Sequence, residues 1–298
     1  MDLQKLSYYV YRFLGAVMPH VPPRFGYAVF DQIGQLSYEK STASRDAVLD
    51  NMRHVLRTDG DSTQVISLAR QVFRNQARNY FDLFRVARLS DEEIAHLVQV
   101  YGLENIDQAR AAGRGVIMFT AHFGNLDLVA QMFALNKYPV TAVAEHLRPE
   151  ELFRYVVSLR ASRGLRLVPA DQFLRPLFTA LHNNEIVAIA ADRNLTGTGT
   201  VVDFFGEPAL LPDGHVRLAR RTGALLLPAF GLRNSDNTFE AVAEPAFGVD
   251  RSDDEVADLH KAMARLVGVL EKHIGAHPEQ WVMFQHIWQQ PGAGAVTE

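Results

Sequence analysis

Between residues 97 and 250, short apolar runs alternate with segments of helical periodicity, and no other feature restricts the fold as strongly. The runs that read as strands are Val98–Tyr101, Val116–Thr120, Val140–Ala144, Leu165–Val168, Ile186–Ala191, Thr200–Phe205, Leu225–Phe230 and Thr238–Ala243. The segments 104–112, 124–136, 149–163, 171–183 and 214–222 read as helices. Such alternation predicts an α/β fold: a mixed, mainly parallel sheet with helices on both faces. Residues 1–96 carry only helical patterns. Pro19, Pro22 and Pro23 divide the first helix from the second, Ser44 is placed to cap a helix over 45–56, and a long helix is expected at 62–88. Ser90 to Glu93 forms a capping box. The expected organisation is a helical region at 1–96 packed on an α/β core at 97–290, with helices again at 253–274 and 278–289. Residues 291–298 read as a flexible tail. A chain of 298 residues with 48% hydrophobic content can bury a large core.

The formal net charge of −4 does not favour nucleic acid as a partner. The absence of cysteine removes disulfides, thiolate metal sites and a cysteine nucleophile. No clustered histidines and carboxylates show ligand spacing, so no metal is expected. The chain start, with Asp2 and no basic segment before an apolar block, does not read as a secretory signal. No run reaches the roughly 18 apolar residues of a spanning helix. Residues 6–18 and 25–30 are rich in Tyr, Phe, Leu and Val, with Arg12 and Arg24 among them. That composition suits a membrane interface, and it equally suits a helix packed on its own core.

The stretch Phe119-Thr-Ala-His122-Phe-Gly124-Asn125-Leu-Asp127 places an imidazole and a carboxylate at a strand-to-helix corner. A carboxylate such as Asp127 can hold one ring nitrogen and leave the other to take a proton from a hydroxyl. Backbone amides around Gly124 and Asn125, at a helix N-terminus, favour negative charge. The bland alternative is a capping histidine and a solvated helical aspartate. Asp192 and Arg193 follow another strand, where ligand-facing groups of α/β sheets gather. Asp192 can second Asp127 in orienting His122, and Arg193 can hold an anion. Arg160 and Arg163, one turn apart on the expected helix, can bind an anionic group or steady an oxyanion, or simply face solvent. Phe204-Phe-Gly-Glu-Pro208, with Pro212, reads either as an apolar wall for an acyl chain or as a core strand and turn. Serine-hydrolase and P-loop signatures are absent.

Taken in order, Ala121-His-Phe-Gly-Asn-Leu-Asp127, Asp192-Arg-Asn-Leu-Thr-Gly-Thr-Gly199, Phe204-Phe-Gly206, Asn51-Met-Arg53 and His277-Pro-Glu-Gln-Trp281 resemble the bacterial acyltransferases that acylate lipid A precursors and phosphatidylinositol mannosides. The resemblance covers roughly residues 1–290. Leu126 and Asp127 stand where lipid A enzymes usually carry Trp and Glu, and Gln285-His286-Ile287 departs from their His-Arg-Arg-like ending. The phosphatidylinositol mannoside branch is therefore the closer match. The resemblance implies a glycerolipid-acyltransferase-like fold and catalysis with no cofactor, no metal and no acyl-enzyme. It implies transfer of a fatty acyl group from acyl-CoA or acyl carrier protein to a hydroxyl of a membrane glycolipid. His122 would be the base, Asp127 and Asp192 its supports, and Arg160, Arg163, Arg193, Gly124 and Asn125 the substrate-binding groups. Such an enzyme would sit peripherally on the cytoplasmic face of the plasma membrane. An acyl-thioester hydrolase and a non-catalytic lipid-binding protein are the competing readings from other classes.

Overall fold

The computed structural model describes residues 3–171, 175–194 and 197–288. Four helices open the chain: α1 (Leu3–Val17), α2 (Pro23–Lys40), α3 (Thr42–Leu56) and α4 (Thr63–Val86). There follow α5 (Asp91–Leu97), β1 (Val98–Tyr101), α6 (Leu103–Ala111), β2 (Val116–Thr120), α7 (Leu126–Leu135), β3 (Val140–Ala144) and α8 (Glu150–Arg160). The chain continues through β4 (Arg166–Pro169), α9 (Arg175–His182), β5 (Ile186–Ala190), β6 (Thr200–Phe204), β7 (Glu207–Leu211) and α10 (Gly214–Thr222). It closes with β8 (Leu225–Arg233), β9 (Phe239–Ala243) and α11 (Glu255–Ala276).

The main sheet has seven strands in the order β1-β9-β8-β2-β5-β3-β4. Every pairing in it is parallel except β8 with β9. The fold is thus the expected mixed, mainly parallel α/β sheet. Side chains alternate across a strand, so one sheet supports two cores. Ile117 and Phe119 of β2 point into one, with α3, α9, α10, α11 and the β6–β7 hairpin. Val116 and Met118 point into the other, with α2, α5, α6, α7 and α8. Helix α4 contributes to both.

Two local expectations are corrected, and one pair of alternatives is decided for the core strand and turn. Residues 278–289 were expected to be a helix. Instead a short 3-10 turn, Pro278–Gln280, gives way to extended chain. There Trp281 bridges Phe123, and the Val282 N–H donates to the His122 carbonyl at 2.8 Å. Tertiary pairing thus takes the backbone groups a helix would have used. Helix α3 begins at Thr42, ahead of Ser44, and its N-cap Ser41 makes no side-chain capping bond. The stretch after Phe204 forms a second strand, β7, in an antiparallel hairpin. Phe204 and Phe205 pack on Trp288 in the first core and do not line the cavity beside His122. The predicted helix at 171–183 is observed over its described part as α9. The tail at 291–298 lies outside the described residues.

Candidate active site

Strand register builds the site. Thr120, the last residue of β2, pairs with Ala190, the last of β5. His122 and Asp192 each lie two residues further on, so adjacent parallel strands deliver them side by side. The His122 Nδ1 donates to Asp192 Oδ1 at 2.8 Å, and the His122 backbone N–H donates to Asp192 Oδ2 at 2.8 Å. Trp281 Nε1 gives Oδ2 a further hydrogen bond at 2.8 Å. Burial of the carboxylate would raise its pKa, but the adjacent imidazole and these donors outweigh it and hold Asp192 below the usual range. An ionised carboxylate only accepts, so Nδ1 carries the proton and Nε2 presents its lone pair. The His122 side chain keeps 33% of its surface open, and it lines a cavity of about 530 Å³.

That cavity lies on the second-core side of the sheet. Small residues pave its floor: Ala142, Ala188, Ala190, Ala229, Gly231 and Ala241. They are neighbours across the strands, as in the pairs Ala142–Ala188 and Gly231–Ala241. A floor without bulk leaves room that Leu83, Phe133, Val156 and Leu167 surround with hydrocarbon. The volume is within the range of small-ligand pockets, roughly 300–1,000 Å³. At the end past β3 and β5 stand Glu145, Arg193 and Gln285. Arg193 grips Glu145 through Nη1 at 2.7 Å and Nη2 at 3.1 Å and donates through Nε to Gln285 at 3.0 Å.

Asp127 does not hold the ring. Asn125 caps α7 by accepting from the Leu128 N–H at 3.0 Å, which puts Asp127 in the first turn. From there its carboxylate meets Arg160, with Nε 2.5 Å from Oδ1. Gln131 straps the two together by donating to the carbonyls of both Asp127 and Arg160 at 3.1 Å. All three line the cavity. Arg163, in a 3-10 turn at Ala161–Arg163, does not join Arg160 at the cavity. Its guanidinium instead binds Asp91 at 2.9 Å and the carbonyls of Val86 and Leu89, tying down the α4–α5 junction away from the cavity.

The groups around Gly124 and Asn125 are also committed elsewhere. The Gly124 N–H donates to the Gln280 carbonyl at 2.8 Å, and the Asn125 side chain, 1% exposed, donates to Asp82 at 2.9 Å. Neither that amide nor that side chain is left to face an oxyanion. Among the described residues, no group of His, Asp and Glu could hold a metal ion.

Sequence reasoning did not single out Trp281 as a partner of Asp192, nor Glu145 and Gln285 as partners of Arg193. The only sign of Trp281 was its place in a C-terminal run typical of a family. Its indole and Asp192 lie 89 residues apart in the chain.

Helix α1 also reaches the cavity, through Tyr11 on its inner face. Burial, reinforced by Tyr80, pushes the Tyr11 phenol far above its ordinary value. The outer face of α1 carries Leu6, Tyr9, Val10, Phe13 and Val17 exposed, and α2 adds Phe25, Val29, Ile33 and Leu36. No helix among the described residues is long and apolar enough to cross a membrane.

A family described as bacterial lipid A biosynthesis acyltransferase matches residues 1–290. A phosphatidylinositol mannoside acyltransferase of Mycobacterium tuberculosis is 34% identical, over 71% of this chain and 67% of its own length. The protein of that name from Mycolicibacterium smegmatis is 31% identical, over 74% and 72%. A lipid A biosynthesis lauroyltransferase of Escherichia coli is more distant, at 26% identity over 64% and 62%.

Proposed function

Because this chain belongs to the bacterial lipid A biosynthesis acyltransferase family, we propose that it moves a fatty acyl group from a thioester donor to a hydroxyl of a membrane glycolipid. The acceptor is phosphatidylinositol mannoside-like, in keeping with the names of the more similar relatives. The observation that carries the reading is the Asp192-held imidazole whose free nitrogen opens on an apolar cavity.

The acyl chain lies over the alanine floor with its thioester beside His122. Nε2 takes the proton of the acceptor hydroxyl as the oxygen attacks the thioester carbonyl. Asp192 stabilises the imidazolium that forms. The tetrahedral intermediate then expels the thiolate, the C–S bond breaks, and the imidazolium proton goes to sulfur. General-base assistance of this kind is worth roughly 10²–10⁴-fold. Arg193 and Arg160 both line the cavity, each already paired with a carboxylate, Glu145 and Asp127, so either steadies developing negative charge only by exchanging that partner, and Arg163 lies elsewhere. The Asp127–Arg160 pair, strapped by Gln131, ties α7 to the end of α8 in the cavity wall. The donor is acyl-CoA or acyl carrier protein.

The exposed apolar faces of α1 and α2 rest on the membrane, at the cytoplasmic face of the plasma membrane, with Arg12 and Arg24 toward lipid headgroups. The docked helix α1 then forms one wall of the acyl cavity through Tyr11.

The test incubates the protein with acyl-CoA, with and without a phosphatidylinositol mannoside or a lipid A precursor. Acylated glycolipid that disappears in His122→Ala is the expected result. Free fatty acid formed without acceptor points to a hydrolase. No turnover of any donor, with liposome binding retained, points to a lipid-binding protein. Product only with the lipid A precursor moves the chain to that acceptor.

A further inference from the structure

Resting on the reading of His122 as the catalytic base, we propose that Arg233, with Asp82 and Asn79, is the positioning device of the site. Its Arg233–Asp82 core sets the His122 loop without touching substrate, while Asn79 reaches from that core to the cavity wall.

The loop from Ala121 to Asn125 has no secondary structure of its own to fix the imidazole. Its pivot is Gly124, at φ +59°, packed so closely on β8 that a Cβ would fall 1.6 Å from the Gly231 carbonyl oxygen. Both polar groups of Gly124 are gripped. Its N–H donates to the Gln280 carbonyl at 2.8 Å, and its carbonyl accepts from Asn79 Nδ2 at 2.6 Å.

Both grips lead to one residue. Gln280 is locked to the Arg233 backbone in both directions, its Oε1 accepting at 3.2 Å and its Nε2 donating at 2.9 Å. Asn79 Oδ1 accepts from Arg233 Nη2 at 2.8 Å. The same Nη2 reaches Asp82 Oδ2 at 2.6 Å, and that oxygen also accepts from Asn125, the far end of the loop. Tyr27 closes the other side of Asp82 with a 2.6 Å hydrogen bond.

The side chains of Arg233 and Asp82 are 2% and 3% exposed, so neither meets acyl donor or acceptor. A buried ion pair is weak evidence for stability, because desolvation offsets attraction. What this one does is join α4, β8 and the 278–282 segment to Gly124 and Asn125, at the α7 end of a five-residue loop. That arrangement specifies a geometry, and errors of about 1 Å in a reacting group can cost 10²-fold in rate.

A second ion pair on α4 supplies the control. Arg78, one turn before Asp82, makes two 2.6 Å hydrogen bonds to Asp31 of α2 and touches no part of the loop. Three variants are measured in detergent with acyl-CoA and glycolipid: Asp82→Asn, Asn79→Leu and Asp31→Asn. Asn79→Leu removes the arm to Gly124 together with its hydrogen bond from Arg233 and leaves the Arg233–Asp82 pair intact, so it decides the matter if Asp82→Asn fails to fold. The expected result is a fall in kcat of about 10- to 100-fold for the first two, with KM for acyl-CoA little changed. The Nδ1 proton resonance of His122, read in histidine-labelled protein, shifts or broadens in both. Asp31→Asn keeps kcat and resonance. Folded Asp82→Asn or Asn79→Leu protein with the kcat and resonance of Asp31→Asn overturns the proposal. Should the wild-type protein transfer no acyl group, the functional reading falls, and the resonance still decides whether the network sets the ring.

Discussion

A carboxylate sealed from water and surrounded by three donors is stable only as the anion. Asp192 is in that state, with the His122 ring, the His122 backbone and the Trp281 indole around it. Its pKa is lower in the folded chain than in the unfolded one. It therefore contributes stability above the unfolded value of about 3.9, and that contribution is lost as pH falls through the folded value. Asp192→Asn is expected to lower kcat by about 10²–10⁴-fold while binding of acyl-CoA is retained, since the amide can hold the ring in the wrong tautomer. Steady-state kinetics beside isothermal titration would check this. Trp281→Phe removes a single donor to a charged acceptor and should cost about 1.5–3 kcal/mol in chemical denaturation. His215 shows linkage of the same sign from a different cause, burial in place of hydrogen bonding to a charge. Burial depresses its pKa to about 4, so it folds neutral, while the unfolded chain binds a proton near pH 6.5. Its contribution is complete above pH 6.5 and is lost between 6.5 and 4, on the order of 3 kcal/mol. His215→Leu should flatten the dependence of Tm on pH in that window.

Among the elements, α1 is the one whose burial does not account for its composition. Tyr8, Tyr11 and Leu14 pack inward, yet Tyr9, Val10 and Phe13 face out, so apolar residues lie on both sides of the helix. A helix apolar all round belongs against more than its own core. Helix α2 carries an exposed apolar stripe of its own, Phe25-Val29-Ile33-Leu36. Phe13→Asp combined with Val29→Asp should reduce co-sedimentation with anionic vesicles at least tenfold, because each buried large side chain contributes about 1.5–3 kcal/mol. An unchanged circular dichroism spectrum would show the helices intact. Full co-sedimentation of the double variant would remove the docking surface. At the same scale, the α8 prediction failed usefully. A helix extended to 163 would have aligned Arg160 with Arg163. The two guanidinium groups nevertheless part, Arg160 to Asp127 at the cavity and Arg163 to the α4–α5 junction, each following its own partners.

The molecule as a whole separates its polar chemistry from its hydrocarbon space by strand direction. Groups past the ends of β2, β3 and β5 carry His122, Glu145 and Asp192, while alanines within the strands leave the cavity beneath helices α7 and α8. Cavity depth then limits the acyl chain. Ala188→Phe is expected to move preference toward shorter acyl-CoA donors. Each methylene that no longer fits lowers relative kcat/KM by about fourfold, from roughly 0.8 kcal/mol per buried CH₂. A chain-length series measured on both proteins would check it, and an unchanged profile would show that the chain does not cross this floor.

The succession of elements was legible in the linear chain because apolar periodicity and capping are local. Val116–Thr120 and the Ser90–Glu93 capping box carry their signals within a few residues. The histidine and both aspartates were legible for the same reason, since each follows or opens an element. Which aspartate meets the ring was not. That depends on Thr120 pairing with Ala190 across 70 residues of chain, and on an N-cap that turns Asp127 toward Arg160. Nor could local patterns reveal that the run after Pro278 would leave the helix to pair with Phe123, or that Arg233 would hold Gly124 from two sides. Spacing along the chain specifies the parts. Only the burial of charges and donors that lack any local partner decides which distant residues must meet.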